Sequence, residues 1–117
     1  MTKEHLINDY RFGHIVIDGE EYTSDVKIFP DGVEGDWWRE MGHELVIADI
    51  EDILAAHPQV LIIGTGSAGV MRVPENTKKV IQENGIELII ERTGDACKIY
   101  NQLNKTKIVV AALHLTC

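Results

Sequence analysis

Cysteine is scarce in this chain. Cys97 and Cys117 are the only two in 117 residues, and they form no C-x-x-C pair. That excludes a disulfide framework and fits a reducing compartment, the cytoplasm. Basic residues are also few, 11 Lys and Arg against 19 Asp and Glu, which leaves a net charge of −8. Nucleic-acid backbones are bound by clustered Lys and Arg, so no nucleic-acid partner is expected, and the acidity reads as a solubility feature. No apolar run approaches the length of a membrane span, and the first ten residues hold no signal-peptide core, so membrane insertion is not expected. Cys117 is the last residue and so is not the cysteine of a prenylation box. Internal repeats, linkers and low-complexity segments are absent.

What is present is an ordinary globular composition, 44% apolar and 26% charged, in a chain long enough to bury a core unaided. One α/β domain over residues 1–117 is expected, with 1–9 a loosely ordered N-terminal segment. Asp18-Gly19 is a two-residue hairpin signal between strands over 10–18 and 20–29. Pro30-Asp31-Gly32 ends the second strand, and residues 33–44 read as a short strand plus a loop. Asp49 is placed to cap a helix with Glu51 and Asp52 in its first turn, stopped by His57-Pro58. Val60–Ile63, Ile86–Ile90 and residues 107–115 read as buried strands. They alternate with helices over about 74–84 and from Thr93, as cap, to about Asn104. The fold class is α/β, in two or three layers. A mixed, partly parallel central sheet is expected, with an N-terminal β-hairpin that extends or covers it and three helices.

Leu61-Ile62-Ile63-Gly64-Thr65-Gly66-Ser67-Ala68-Gly69 contains a full G-x-G-x-x-G, the spacing of a dinucleotide fingerprint. Glu91 follows at about the distance of a ribose-binding carboxylate. That fingerprint needs a helix to open within the glycines, with its amides toward the phosphate. Here Val70–Val73 intervene and Pro74 places the helix start beyond the last glycine. The motif is therefore read as a tight turn leaving a buried strand, with no nucleotide cofactor.

The histidines His5, His14, His43, His57 and His114 show no metal-ligand spacing, and no metal is expected. His43 lies in the irregular segment and His114 at a strand end, where side chains line a crevice. A His114–Cys117 pair is opposed by strand alternation, which puts Thr116 on the face of His114. Ser67 stands outside any G-x-S-x-G elbow. In Trp37-Trp38-Arg39, adjacent side chains face opposite ways, so one Trp enters the core and the other covers the surface, with Arg39 stacking on either ring.

Several pieces together resemble a known family. They are Arg11-Phe12-Gly13, Tyr22-Thr23-Ser24-Asp25-Val26, Trp38-Arg39, Gly42-His43, Asp52 and Leu61–Gly66. They continue with Thr93-Gly94-Asp95-Ala96, Tyr100-Asn101 and the ending Ala111-Ala112-Leu113-His114-Leu115-Thr116-Cys117. In this order they resemble the small single-domain proteins that include the mitochondrial respiratory complex I assembly factor three and the adipogenesis-associated Mth domain protein. Many bacterial and archaeal members are of unknown function. The resemblance implies an α/β domain with a mixed sheet and, from the eukaryotic members, assembly of a respiratory complex through protein contacts. It implies no catalytic residues.

The leading expectation is a non-enzymatic protein acting through contacts with a protein partner, at a surface formed by the Trp37–His43 segment and the Gly64–Gly69 loop. The candidate binding residues are Trp38, Arg39, His43, Gly64, Thr65, Gly66, Thr93 and His114. The alternative is a site for a small molecule or anion, with or without catalysis, where Gly64-Thr65-Gly66 leaves the sheet. Self-association through the tryptophans is a third reading, and the oligomeric state stays open.

Overall fold

Two almost wholly apolar runs, Val60–Ile63 and Val109–Leu113, are satisfied only at the centre of a sheet covered on both faces. That is where they lie. The computed structural model describes residues 5–117. Strands β1 (Ile7–Arg11), β2 (His14–Ile17) and β3 (Glu20–Tyr22) form a small antiparallel sheet in that order. Strands β4 (Val26–Phe29), β5 (Gly32–Glu34), β6 (Val60–Thr65), β7 (Glu87–Glu91) and β8 (Val109–His114) form a second sheet, ordered β5-β4-β8-β6-β7. β6 pairs in parallel with both β7 and β8, while β4 runs antiparallel to β8 and β5. The three apolar strands are thus parallel, as expected. The sheet is mixed because the β4–β5 hairpin extends it.

Alternation along these strands feeds two cores. Val26, Ile28, Val60, Ile62, Val109, Ala111 and Leu113 face one side. There they meet Ile7, Ile15 and Ile17 of the small sheet and Ala96, Cys97 and Tyr100 of α3 (Thr93–Leu103). Leu61, Ile63, Val110 and Ala112 face the other side, against Trp37, Leu45, Ile50, Ile53, Met71 and Ile81. Ile53 belongs to α1 (Glu51–Ala56) and Ile81 to α2 (Glu75–Glu83). Helices α2 and α3 therefore lie on opposite faces, as two right-handed crossovers running in opposite directions along a sheet require. The architecture is three-layered.

Several sequence expectations are corrected. The strand expected over 10–18 is interrupted by a turn at Phe12-Gly13, with Gly13 at φ +75. Residues 7–9, expected with the loose N-terminal segment, are the first half of β1. They dock on α3 because Asn101 mimics a backbone partner: its Nδ2 donates to Ile7 O at 2.8 Å and its Oδ1 accepts from Ile7 N at 2.9 Å. Of the rest of that segment, residues 1–4 lie outside the described residues. The Asp18-Gly19 turn forms as expected, with φ 53 and 80, but it joins β2 to β3 only. The strand expected over 20–29 breaks at residues 23–25, and its two halves enter different sheets.

The buried strand expected over 86–90 is the edge strand β7. Its Leu88, Ile89 and Ile90 are half-buried, and only Ile86, just before it, is fully covered. Asp49 does not stand at the cap position of α1. It sits inside a 3-10 turn, Ile47–Ile50, that leads into α1, and its carboxylate accepts from the amide of Val46, the cap residue of that turn (3.0 Å), and from that of Glu40 (3.2 Å). α2 does start after Pro74, and His57, at φ 47, does end α1.

The glycine end of β6 is close-packed. A Cβ on Gly64 would lie 2.8 Å from Thr93 Oγ1, 2.9 Å from Leu113 Cδ2 and 3.1 Å from Thr93 Cα. Gly64→Ala is expected to destabilise by about 1–3 kcal/mol, the range for overpacking. A urea midpoint equal to the parent's would contradict this.

Candidate functional site

Antiparallel pairing of β4 with β8 brings the first end of one strand beside the last end of the other. Val26 is opposite Leu113, so Asp25 comes to lie next to His114, one residue beyond the pair on each strand. The Asp25 Oδ2 atom is 2.8 Å from His114 Nδ1, and its Oδ1 accepts from Leu115 N at 2.7 Å. The Asp25 main chain also starts the next segment, because its carbonyl accepts from Trp37 N at 2.9 Å. That bond, together with a positive φ at Asp36 (58), turns the chain over the sheet. Trp37 is buried (6% exposed) and Trp38 is left 80% exposed.

Arg39 closes the cluster. Its Nη1 is 2.8 Å from Asp25 Oδ2, and its Nε and Nη2 donate to Gly42 O at 3.2 and 2.8 Å. Its guanidinium carbon is 4.9 Å from the centre of the Trp37 ring, which has Lys27 Nζ at 5.1 Å. Lys27, itself buried, pairs with Asp52 at 2.9 Å. The Trp37 ring thus takes two cations, each attracted by its negative face.

A carboxylate only accepts, so the 2.8 Å contact assigns the Nδ1 proton of His114 to the bond with Asp25. Nη2 of Arg39, which gives one of its two hydrogens to Gly42 O, also stands 3.1 Å from the same nitrogen, and the shorter contact with the anion decides the assignment. Nε2 of His114 is buried and has no hydrogen-bond partner among the described residues. Burial alone would raise the Asp25 pKa, but bonds from His114, the Leu115 amide and Arg39 outweigh it and hold the carboxyl below its ordinary value.

A cleft of about 270 Å³ opens at this point, lined by Thr23, Ser24, Asp25, Trp37, Trp38, Arg39, Gly42, His43, His114 and Thr116. The His43 ring meets that of His114 edge-on, 5.8 Å between centres. Of the residues named from sequence, Trp38, Arg39, His43 and His114 therefore share one cleft. Gly64, Thr65, Gly66 and Thr93 do not line it; all four are buried beside it. Thr93 caps no helix, since Arg92 holds the cap position of α3. Its hydroxyl donates to His114 O at 2.6 Å and accepts from Gly66 N at 2.8 Å, so the glycine end supports the backbone of His114 from behind. Among the described residues no three His, Cys, Asp or Glu side chains cluster to hold a metal. Burial pushes the Cys97 thiol up to about 12, so it stays protonated.

Residues 7–114 match the family described as protein of unknown function DUF498/DUF598. The chain belongs to this family. Solved structures share its fold. The conserved hypothetical protein PH1505 from Pyrococcus horikoshii OT3 is 31% identical, with 95% of this chain and 98% of that one covered and a TM-score of 0.82. MT938 is 26% identical, with coverage of 97% and 99% and a TM-score of 0.80. A Mth938-like domain from Bordetella pertussis is 21% identical, with coverage of 96% and 86% and a TM-score of 0.66. The Mth-domain resemblance read from the sequence is thus shown. No helix among the described residues is long and apolar enough to cross a membrane.

For this DUF498/DUF598 chain, the residues that carried the resemblance are also the ones that build the cleft: Thr23-Ser24-Asp25, Trp38-Arg39, Gly42-His43, His114 and Thr116. Asp25 is the member that reading by residue type missed. Its signal was an acidic residue directly ahead of the apolar strand Val26–Phe29.

Asp25→Ala leaves Arg39, His114 and the Leu115 amide without their common acceptor. It is expected to cost about 3–5 kcal/mol, as for one partner removed from a buried pair. Because folding lowers the Asp25 pKa, its contribution is full at pH values above the unfolded carboxyl's range and is lost as pH falls through the folded value. Asp25→Asn should therefore flatten the acid limb of the stability curve, and a limb as steep as the parent's would contradict the assignment.

Proposed function

We propose that this chain is a non-enzymatic cytoplasmic contact module, assembly-factor-like, whose Trp37–His43 loop docks a protein partner. The observation that carries this reading is Trp38, a large aromatic left 80% exposed on a loop whose other strong groups are turned inward. Arg39 is bound to Asp25 and Gly42 and stacked on Trp37, so the loop is fixed before any partner arrives, which lowers the ordering cost of binding.

The apolar surface continues past Trp38. Met41 and Val70 are 54% and 44% exposed, and they line a shallow depression with Glu40, Gly42, His43, Glu44 and Arg72. Gly42 and His43 are shared with the cleft beside Trp38. Aromatic residues in such patches carry much of the energy of protein interfaces. The carboxylates of Glu40 and Glu44, within a chain of net charge −8, favour a partner face with basic residues at its rim.

The alternative, a small-molecule or anion site at Gly64-Thr65-Gly66, finds less support. The space a ligand would need there is taken by Thr93, Leu113 and the C-terminal backbone. Arg92, whose Nε would stand 3.5 Å from a Cβ on Gly69, is a cation beside this loop, but the backbone at Gly64 and Gly66 is closed off by those neighbours.

The test uses a partner captured on the immobilised protein and measured against variants. Trp38→Ala is expected to weaken the complex by about 2 kcal/mol or more, as at an interface hot spot, while changing stability by no more than about 0.5 kcal/mol, as for an exposed residue. Met41→Ala should weaken it to a lesser degree. Unchanged affinity in both variants would overturn the reading.

A further inference from the structure

His114 is 5% exposed. One of its ring nitrogens is committed to Asp25, and the other, Nε2, has no partner among the described residues. A buried polar atom left unpaired is costly, and in natural structures such an atom marks strain or a missing ligand group. An imidazole whose single proton sits on Nδ1 presents Nε2 as an acceptor. The cleft that His114 lines lies outside the carboxyl ends of the parallel strands, where open α/β sheets gather ligands. Its two charged side chains, Asp25 and Arg39, neutralise one another at 2.8 Å. The rest of the wall is hydroxyls (Thr23, Ser24, Thr116), the His43 imidazole and the exposed Trp38 indole.

The geometry points to a second site in this cleft, for a flat, uncharged ring with an N–H or O–H donor on its edge. The ring stacks on Trp38, and the donor bonds to Nε2 of His114. The uncompensated charge that a phosphate or carboxylate needs is absent from this wall, so the ligand is neutral. The exposed His43 ring stands edge-on to His114, 5.8 Å between centres, in the wall of the same cleft. The volume of about 270 Å³ suits one such ring and its substituents. The site shares Trp38 and His43 with the protein-contact reading but not Met41 and Val70, which line the neighbouring depression.

Two matched pairs of probes test it: uracil against 1,3-dimethyluracil, and phenol against anisole. In each pair the flat ring is kept and the donor removed. Spectra of isotope-labelled protein are recorded with millimolar probe. At least one donor probe is expected to shift the signals of His114, His43 and Trp38 saturably, with its methylated counterpart about tenfold weaker or silent. His114→Asn keeps a donor for Asp25 and deletes Nε2, so it should abolish the response. Trp38→Ala, at an exposed position that leaves the fold intact, should weaken it about tenfold. Met41→Ala should leave it unchanged even where it weakens a protein partner. Equal responses to donor and methylated probes, or silence from both donor probes, would overturn the site.

Discussion

One carboxylate holds the functional end of this molecule together. Asp25 accepts from the imidazole of His114 and from the amide of Leu115, and it forms an ion pair with the guanidinium of Arg39. These donors belong to segments far apart in sequence, the end of the central strand β8 and the loop after β5. Taking a carboxylate and a guanidinium out of water costs several kcal/mol per ion unless good hydrogen bonds replace the lost hydration. Here every strong bonding direction of Asp25 is used, and the lowered pKa is the mark of that arrangement. The main chain of Asp25 adds to the effect by anchoring Trp37, so the same residue sets both the charge pair and the path of the loop.

From Asp25 the constraint spreads in two directions. Through Arg39 and Trp37 it reaches Lys27 and Asp52, and so ties α1 to the sheet. Through His114 it reaches the glycine end of β6, where Thr93 Oγ1 bridges the His114 carbonyl and the Gly66 amide. His114 is thus fixed by side chain and backbone at once. The loop it supports presents Trp38 at the cleft and Met41 at the neighbouring depression. A protein contact and a small-ligand site would therefore meet at Trp38 on one rigid element.

Strands with a strong pattern were legible in the sequence. Val60–Ile63 and Val109–Leu113 are apolar throughout because both their faces are covered, and Pro74 and Gly85 mark the limits of α2. The fate of residues 20–29 was not legible, because alternation is the same whether a run serves one sheet or two; residues 23–25 turn out of one sheet and into the other. Ile86–Ile90 reads as buried because its apolar side chains do not record how many neighbours its edge will have. Thr93 has the residue type of a helix cap, but tertiary partners claim its oxygen first, while Asp49 serves the 3-10 turn before α1 and not α1 itself. In the site, Arg39, His43 and His114 stood out by residue type. Asp25 gains its meaning only from the β4–β8 register, a contact between residues 89 apart in sequence.

The central claim is that Asp25 and Arg39 act as one unit in fixing the loop. A double-mutant cycle in urea with Asp25→Asn, Arg39→Gln and the double variant measures this directly. The account predicts a coupling energy of about 0.5–3 kcal/mol, the range for residues sharing one network. Effects that add to within about 0.3–0.5 kcal/mol, as for independent sites, would contradict it.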